Sequence, residues 1–141
     1  MKKFIKTVSA SFTIWVAAAL INGLLVAALS LFVNHDSGEL GLTFGLVIVF
    51  SLLFSIPGIF IFWLFFIANY FQEGLFQLLL KTALFTSLFS ALIFFGWVGR
   101  GFHSDNIWLI IFAVVAAVAS VMIHHGSVRN IVNENKNQTH V

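Results

Sequence analysis

Residues Leu46 to Ile67 read LVIVFSLLFSIPGIFIFWLFFI, and this stretch decides the fold class of the chain. It holds 22 residues without one ionisable side chain. At a rise of 1.5 Å per residue, a helix of this length spans roughly 33 Å, which is close to the hydrocarbon thickness of a bilayer. In lipid, a helix satisfies its own backbone hydrogen bonds. The stretch therefore predicts a transmembrane helix with a kink at its centre, where Pro57 and Gly58 lie.

The composition extends this prediction to the whole chain. Of its 141 residues, 60% are hydrophobic and 9% are charged, whereas soluble domains carry roughly a quarter charged residues. Cysteine is absent from the sequence, which excludes disulfides, thiolate metal sites and cysteine nucleophiles. The 7 basic residues are scattered, so topology control explains them better than nucleic-acid binding does. Membrane lipids are the expected partners, and no nucleic acid is expected.

Four apolar runs predict four spans. The first run has 22 residues, longer than the roughly 7–15 residues of a cleaved signal peptide, so we interpret it as a retained anchor. A segment at about 71–81 is predicted to be interfacial, with Lys81 reaching towards the headgroups. Residues 1–126 form the predicted membrane domain, and the polar residues 127–141 form a mobile cytoplasmic tail. The predicted spans are about 12–33, 46–70, 82–97 and 107–124.

The orientation follows from the basic residues in the short loops. With the N-terminus inside, only Arg100 lies outside. The residue usage is typical of bacteria, which favours the inner (cytoplasmic) membrane with both termini cytoplasmic. Tryptophans near span ends, such as Trp15, fit an aromatic belt at the interface. The predicted fold class is therefore an all-α integral membrane protein, an antiparallel four-transmembrane-helix up-down bundle. The inner basic residues are Lys2, Lys3, Lys6, Lys81, Arg129 and Lys136.

Small and weakly polar residues recur at helical spacing in every span. Because lipid tails are as apolar as leucine, close packing of small residues and interhelical hydrogen bonds must hold such helices together. Pro57 cannot donate to the carbonyl of Leu53, so we expect Ser90 or Asn22 to supply that hydrogen bond. Asn22, near the midplane, fits either an interhelical hydrogen bond or a substrate contact. The predicted packing and kink residues are Ala19, Asn22, Gly23, Ala27, Ser51, Ser55, Pro57, Gly58, Thr86, Ser90, Ala113, Ala117 and Ser120.

The sequence offers little for chemistry. Deep ionisable groups, which usually mark functional membrane sites, are missing from the spans, so proton-coupled transport is disfavoured. Imidazole and carboxylate groups in the two outer loops form a hypothetical divalent-metal site, although their spacing fits no recognised ligand motif. We therefore predict no metal, no cofactor and no enzymatic activity. The hypothetical metal-site residues are His35, Asp36, Glu39, His103 and Asp105.

Two functions remain as hypotheses. The first is a non-enzymatic accessory or assembly subunit, or a homo-oligomer, that packs through small-residue helix faces against other membrane subunits or itself. The alternative is a small-solute transporter or channel for a largely apolar solute. Its pathway is then predicted to be lined by the polar residues Asn22, Ser51, Ser55, Thr86 and Ser90.

Overall fold

The computed structural model describes residues 2–34, 40–70, 72, 74–98 and 106–138, and within them every regular element is a helix. Two helices are long and apolar enough to span a membrane alone, and the number rises to four if each of two bent pairs is one span. This length and composition indicate a membrane protein. The helices are α1 (Lys2–Asn34), α2 (Leu40–Phe54), α3 (Ile56–Ala68), α4 (Leu75–Ile93), a π-helix (Phe94–Val98) that continues α4, α5 (Asn106–Ile123) and α6 (His125–Gln138).

The central apolar stretch folds as two helices, α2 and α3, that meet at Ser55 with a bend of 53°. Pro57 lies in the first turn of α3, where a missing backbone donor is tolerated. The prediction that Asn22 or Ser90 donates a hydrogen bond to the Leu53 carbonyl is wrong for both residues. The Asn22 amide donates to Ser51 Oγ instead, and Ser90 packs against Gly58.

The third apolar run begins earlier than the sequence predicts. Gly74 has φ +81°, a left-handed conformation that favours glycine, and it starts α4 at Leu75 rather than near residue 82. The helix continues without a break past Lys81, so residues 75–81 are part of one helix, Leu75–Gly96, that is long and apolar enough to cross a membrane. The interfacial position of residues 71–81 stays a prediction. Leu75 and Leu79 are buried whereas Lys81 is exposed, because they lie on different faces of the same helix.

The polar tail is helical where the structure describes it. α6 leaves α5 with a bend of 51°, and Val128 in its second turn is 1% exposed. Ile131, three residues further along, packs partly buried against the same core. These two apolar side chains anchor the start of the segment that the sequence analysis treats as a mobile tail. Mobility beyond them stays a prediction.

The helices pack around α1, which contacts α2, α3 and α5, while α4 packs against α3 and α5. A dense core fills one end of this arrangement, near the N-terminus of α1. Within it, Ser120 Oγ donates a hydrogen bond of 2.6 Å to the carbonyl of Ile14 and so ties α5 to α1. We name this region the closed end, and its buried core residues are Phe66, Tyr70, Leu75, Leu79, Val121 and Val128.

Candidate functional site

A cavity of about 470 Å³ lies between α1, α2, α3, α4, the π-helix and α5, beyond the closed end. Ligand pockets in proteins commonly have volumes of roughly 300–1,000 Å³ and mostly apolar walls. The walls here are mostly aliphatic and aromatic, and none of the described residues that line the cavity is ionisable. The hydrogen-bonding lining residues are Trp15, Asn22, Ser51, Ser55, Thr86, Ser87 and Ser90. We name the part of the bundle around the cavity the open end.

The bend between α2 and α3 creates the cavity. Below the bend, α3 packs closely against α4, because a Cβ atom on Gly58 would lie only 2.6 Å from Ser90 Oγ. Above the bend, α2 rests mainly on α1. A Cβ atom on Gly23 would lie 2.8 Å from Ile48 Cγ1, so this contact is also tight. α2 is thereby held at an angle to α4, and the wedge between them is part of the cavity.

Two side-chain hydrogen bonds join α1 to the bent segment. The indole Nε1 of Trp15 donates to Ser55 Oγ at 2.6 Å, and Asn22 Nδ2 donates to Ser51 Oγ at 2.8 Å. Ser55 Oγ in turn donates to the carbonyl of Ser51. Trp15 was expected in an interfacial aromatic belt, but its polar atom is used inside the bundle. The bonds hold the bend in place and lie in the cavity wall.

Asn22 has hydrogen-bonding capacity left over. Its Oδ1 atom is buried and has no hydrogen-bond partner among the described residues. An amide turned by half a rotation would exchange its oxygen and nitrogen, and one of the two groups would still be unpaired. A buried polar group without a partner costs about 1–3 kcal/mol. Because this atom is enclosed, a molecule in the cavity would recover that free energy only if the Asn22 side chain turned towards it.

Aromatic rings border the wedge between α2 and the π-helix. Phe50 stacks on Phe54 with ring centroids 6.0 Å apart, and Phe54 contacts Phe94 across the wedge at 4.5 Å. Phe50 and Phe54 are 48% and 36% exposed, so they lie at the outer surface of the bundle as well as in the cavity wall. The cavity therefore borders the surface that would face lipid.

The opposite end of the cavity is blocked. Phe62 and Ala83 line the cavity and also belong to the dense core of the closed end, so they form the floor of the cavity. Below them Phe66, Leu79 and Val121 are each 0% exposed. The cavity is thus a pocket with one filled end and is not continuous through the described part of the chain.

The structure brings together all five polar residues predicted to line a solute pathway: Asn22, Ser51, Ser55, Thr86 and Ser90. Among the predicted packing residues, Ala19, Gly58, Ala113 and Ala117 also line the cavity. Gly23 is buried against α2, Ala27 is half-buried, Ser120 is in the closed end, and Pro57 is exposed on the bend. The sequence analysis missed the π-helix and the hydrogen bond of Trp15. Trp15 lies seven residues before Asn22 on the same face of α1, and this spacing was the signal for the hydrogen bond of Trp15.

The hypothetical metal-site residues His35, Asp36, Glu39, His103 and Asp105 lie outside the described residues. Within the described ranges, no group of three or more His, Asp or Glu side chains lies close enough together to hold a metal ion. The metal hypothesis is therefore untested and contributes nothing to the site.

The chain matches no family model, and no curated protein or solved structure is significantly similar to it. Its function has to be inferred from the cavity and the residues around it.

Proposed function

We propose that this chain is a membrane carrier that binds a small, largely apolar solute in the cavity of the open end. The observation that supports this most is the cavity itself, because its volume and its apolar walls with a few polar groups fit a ligand site. The filled closed end favours a carrier over a channel, since a pore needs a continuous path. The described residues of the wall include no acid or base for catalysis, which supports a non-enzymatic role.

Cysteine labelling tests this proposal directly, because the natural sequence has no cysteine. Single variants Ser90→Cys and Ser87→Cys place a thiol in the cavity wall, whereas Ser11→Cys places one at a site that is 2% exposed. Ser11 is a matched control because its Oγ atom has no hydrogen-bond partner among the described residues, so the change removes no bond. We expect N-ethylmaleimide to label both cavity variants at least tenfold faster than Ser11→Cys. Equal rates at all three positions would reject the cavity as an accessible site.

A topology proposal accompanies the function. We propose four spans in an antiparallel up-down bundle in the bacterial inner membrane, with α2 and α3 as one bent span and both termini cytoplasmic. Six of the 7 basic residues would then lie inside. The variant Asn135→Cys should resist a membrane-impermeant thiol reagent in intact cells and react after the membrane is broken. Labelling in intact cells would overturn this orientation.

A subunit or homo-oligomer role is a second proposal, and one exposed face supports it. Phe85 and Phe89 lie one turn apart on α4 and are 68% and 56% exposed, so they could pack against another helix. The small residues predicted for this contact are mostly turned inward in the single chain, which weakens that route. Native mass spectrometry after mild extraction should show a complex larger than the monomer. The double variant Phe85→Leu/Phe89→Leu should weaken that complex. A monomer alone would contradict this role.

A further inference from the structure

We infer that the cavity accepts an uncharged, single-chain lipid with a free hydroxyl group, of the long-chain alcohol or monoacylglycerol class, taken from the bilayer. This inference rests on the proposed binding function and names the chemical class of the ligand. Three properties of the site lead to it: the absence of charge in the described cavity wall, the unpaired group on Asn22, and the elongated shape beside a lipid-facing wedge.

The charge of the wall selects against ionised ligands. Among the described residues of the wall, all side-chain hydrogen-bonding groups are neutral hydroxyl, amide and indole groups. An ionised carboxylate, phosphate or ammonium group would lose its hydration there without gaining an opposite charge, which is strongly unfavourable. A fatty acid in its ionised form or a phospholipid headgroup therefore fits this site poorly.

The free capacity of Asn22 selects for a hydroxyl group. One end of its amide is bonded to Ser51 and the other end is buried without a partner. The free Oδ1 atom is enclosed in this structure, so the Asn22 side chain, which lines the cavity, has to turn to present its amide to a ligand. A hydroxyl both donates and accepts, so it pairs with whichever of the two amide atoms is then turned towards it. An ester or ether oxygen only accepts and cannot pair with the free Oδ1. A ligand without any polar group would leave the amide unpaired.

The dimensions of the cavity favour an extended chain. Its wall follows α1 from Ile14 to Val26, and α4 with the start of the π-helix from Ala83 to Phe95. The first and last residues of each run are twelve positions apart in sequence, which corresponds to roughly 18 Å along a helix axis. A volume of about 470 Å³ that extends over this length has room for a single extended alkyl chain.

The source of the ligand follows from the wedge. Phe50 and Phe54 lie both at the outer surface and in the cavity wall, and the ring contact of Phe54 with Phe94 crosses the gap to the π-helix. Because this side of the bundle would face lipid, a chain that moves sideways between α2 and the π-helix need not enter water. The bilayer is therefore the reservoir from which the site fills.

Photolabelling with three matched probes tests the inference. A monoacylglycerol, the ionised fatty acid at pH 8 and its methyl ester would carry the same diazirine-bearing chain, and each would be added to the protein in phosphatidylcholine nanodiscs. Mass spectrometry would locate the labelled peptides. We expect the monoacylglycerol to label the cavity at least tenfold more than either other probe. Asn22→Leu should lower its labelling about tenfold and leave the weak ester labelling unchanged, while the exposed control Asn130→Leu should have no effect.

The outcomes separate the two proposals. Equal labelling by the ester, or no effect of Asn22→Leu, would overturn the hydroxyl requirement and leave a general apolar site. Stronger labelling by the ionised fatty acid would overturn the charge argument. If no probe labels the cavity while Ser90→Cys still reacts with maleimide, the cavity is accessible and the lipid inference fails. If no probe labels the cavity and Ser90→Cys does not react with maleimide either, the proposed function fails as well.

Discussion

The closed end and the open end of the bundle differ in how they fill the space between the helices. At the closed end, the side chains of Phe66, Leu79 and Val121 are 0% exposed and belong to one core cluster. At the open end, small side chains and a bent helix leave a cavity of about 470 Å³. In water such a void loses both transfer free energy and packing. In lipid the transfer term largely disappears, since the alternative environment is equally apolar, so an internal space that alkyl chains can fill is less unfavourable.

The largest expected difference between the ends comes from Phe66→Ala. Phe66 is fully buried in the closed end, so truncation removes its packing contacts and should lower the free energy of unfolding by about 3 kcal/mol. This is the lower end of the range for soluble proteins, because lipid removes the transfer term. Phe65→Ala is the matched control, since Phe65 is 48% exposed and should lose less than about 1 kcal/mol. Equilibrium unfolding in mixed micelles measures both, and equal losses would mean that the closed end is not densely packed.

A smaller effect is expected from Gly23→Ala, which tests how α2 is held. The added methyl would lie 2.8 Å from Ile48 Cγ1 and 3.1 Å from Phe44, so it should push α2 from α1 and lower the free energy of unfolding by about 2 kcal/mol. Gly45→Ala should be neutral or stabilising by up to about 1 kcal/mol, because nothing lies within 4 Å of its new methyl and alanine favours helix. The same unfolding assay applies. A stable Gly23→Ala variant would show that the contact between α1 and α2 is loose.

The smallest effect sharpens the description of Asn22. Ser51→Ala removes the hydroxyl to which the Asn22 amide donates among the described residues, and it should lower the free energy of unfolding by about 1 kcal/mol. Asn22→Leu removes the hydrogen bond, which is destabilising, and also the unpaired Oδ1 atom, which is stabilising. The free energy of unfolding should therefore change by no more than about 0.5 kcal/mol. If Asn22→Leu is clearly the more destabilising of the two, the amide must have a second partner.

The sequence was sufficient for the features that depend on composition and spacing. The apolar runs predicted membrane-spanning helices, and the described chain is all-helical with two to four helices suited to that role. The five polar residues of the hypothetical solute pathway do line one cavity. They could be grouped because each lies on a helix face that must avoid lipid. Whether a solute uses them remains a proposal.

Features that depend on contacts between distant residues could not be predicted. Pro57 located the bend, but the direction of α2 beyond it depends on the tight contacts at Gly23 and Gly58. The hydrogen bond from Trp15 to Ser55 joins residues 40 positions apart, so a local rule placed the indole at the interface instead. The tail is polar on average, and that average hid the two apolar side chains, Val128 and Ile131, that attach α6 to the core.

The length of α1 has a consequence for the shape of the protein at the membrane surface. Its 33 residues make a rod of roughly 50 Å, whereas the hydrocarbon layer is about 30 Å thick. Even a tilt of about 40°, the upper limit usually observed, would not immerse such a rod completely. Several turns of α1 must therefore stand clear of the acyl chains. α6 contacts α1, and it would pack at the level of the phospholipid headgroups against the part of α1 that lies outside the acyl chains.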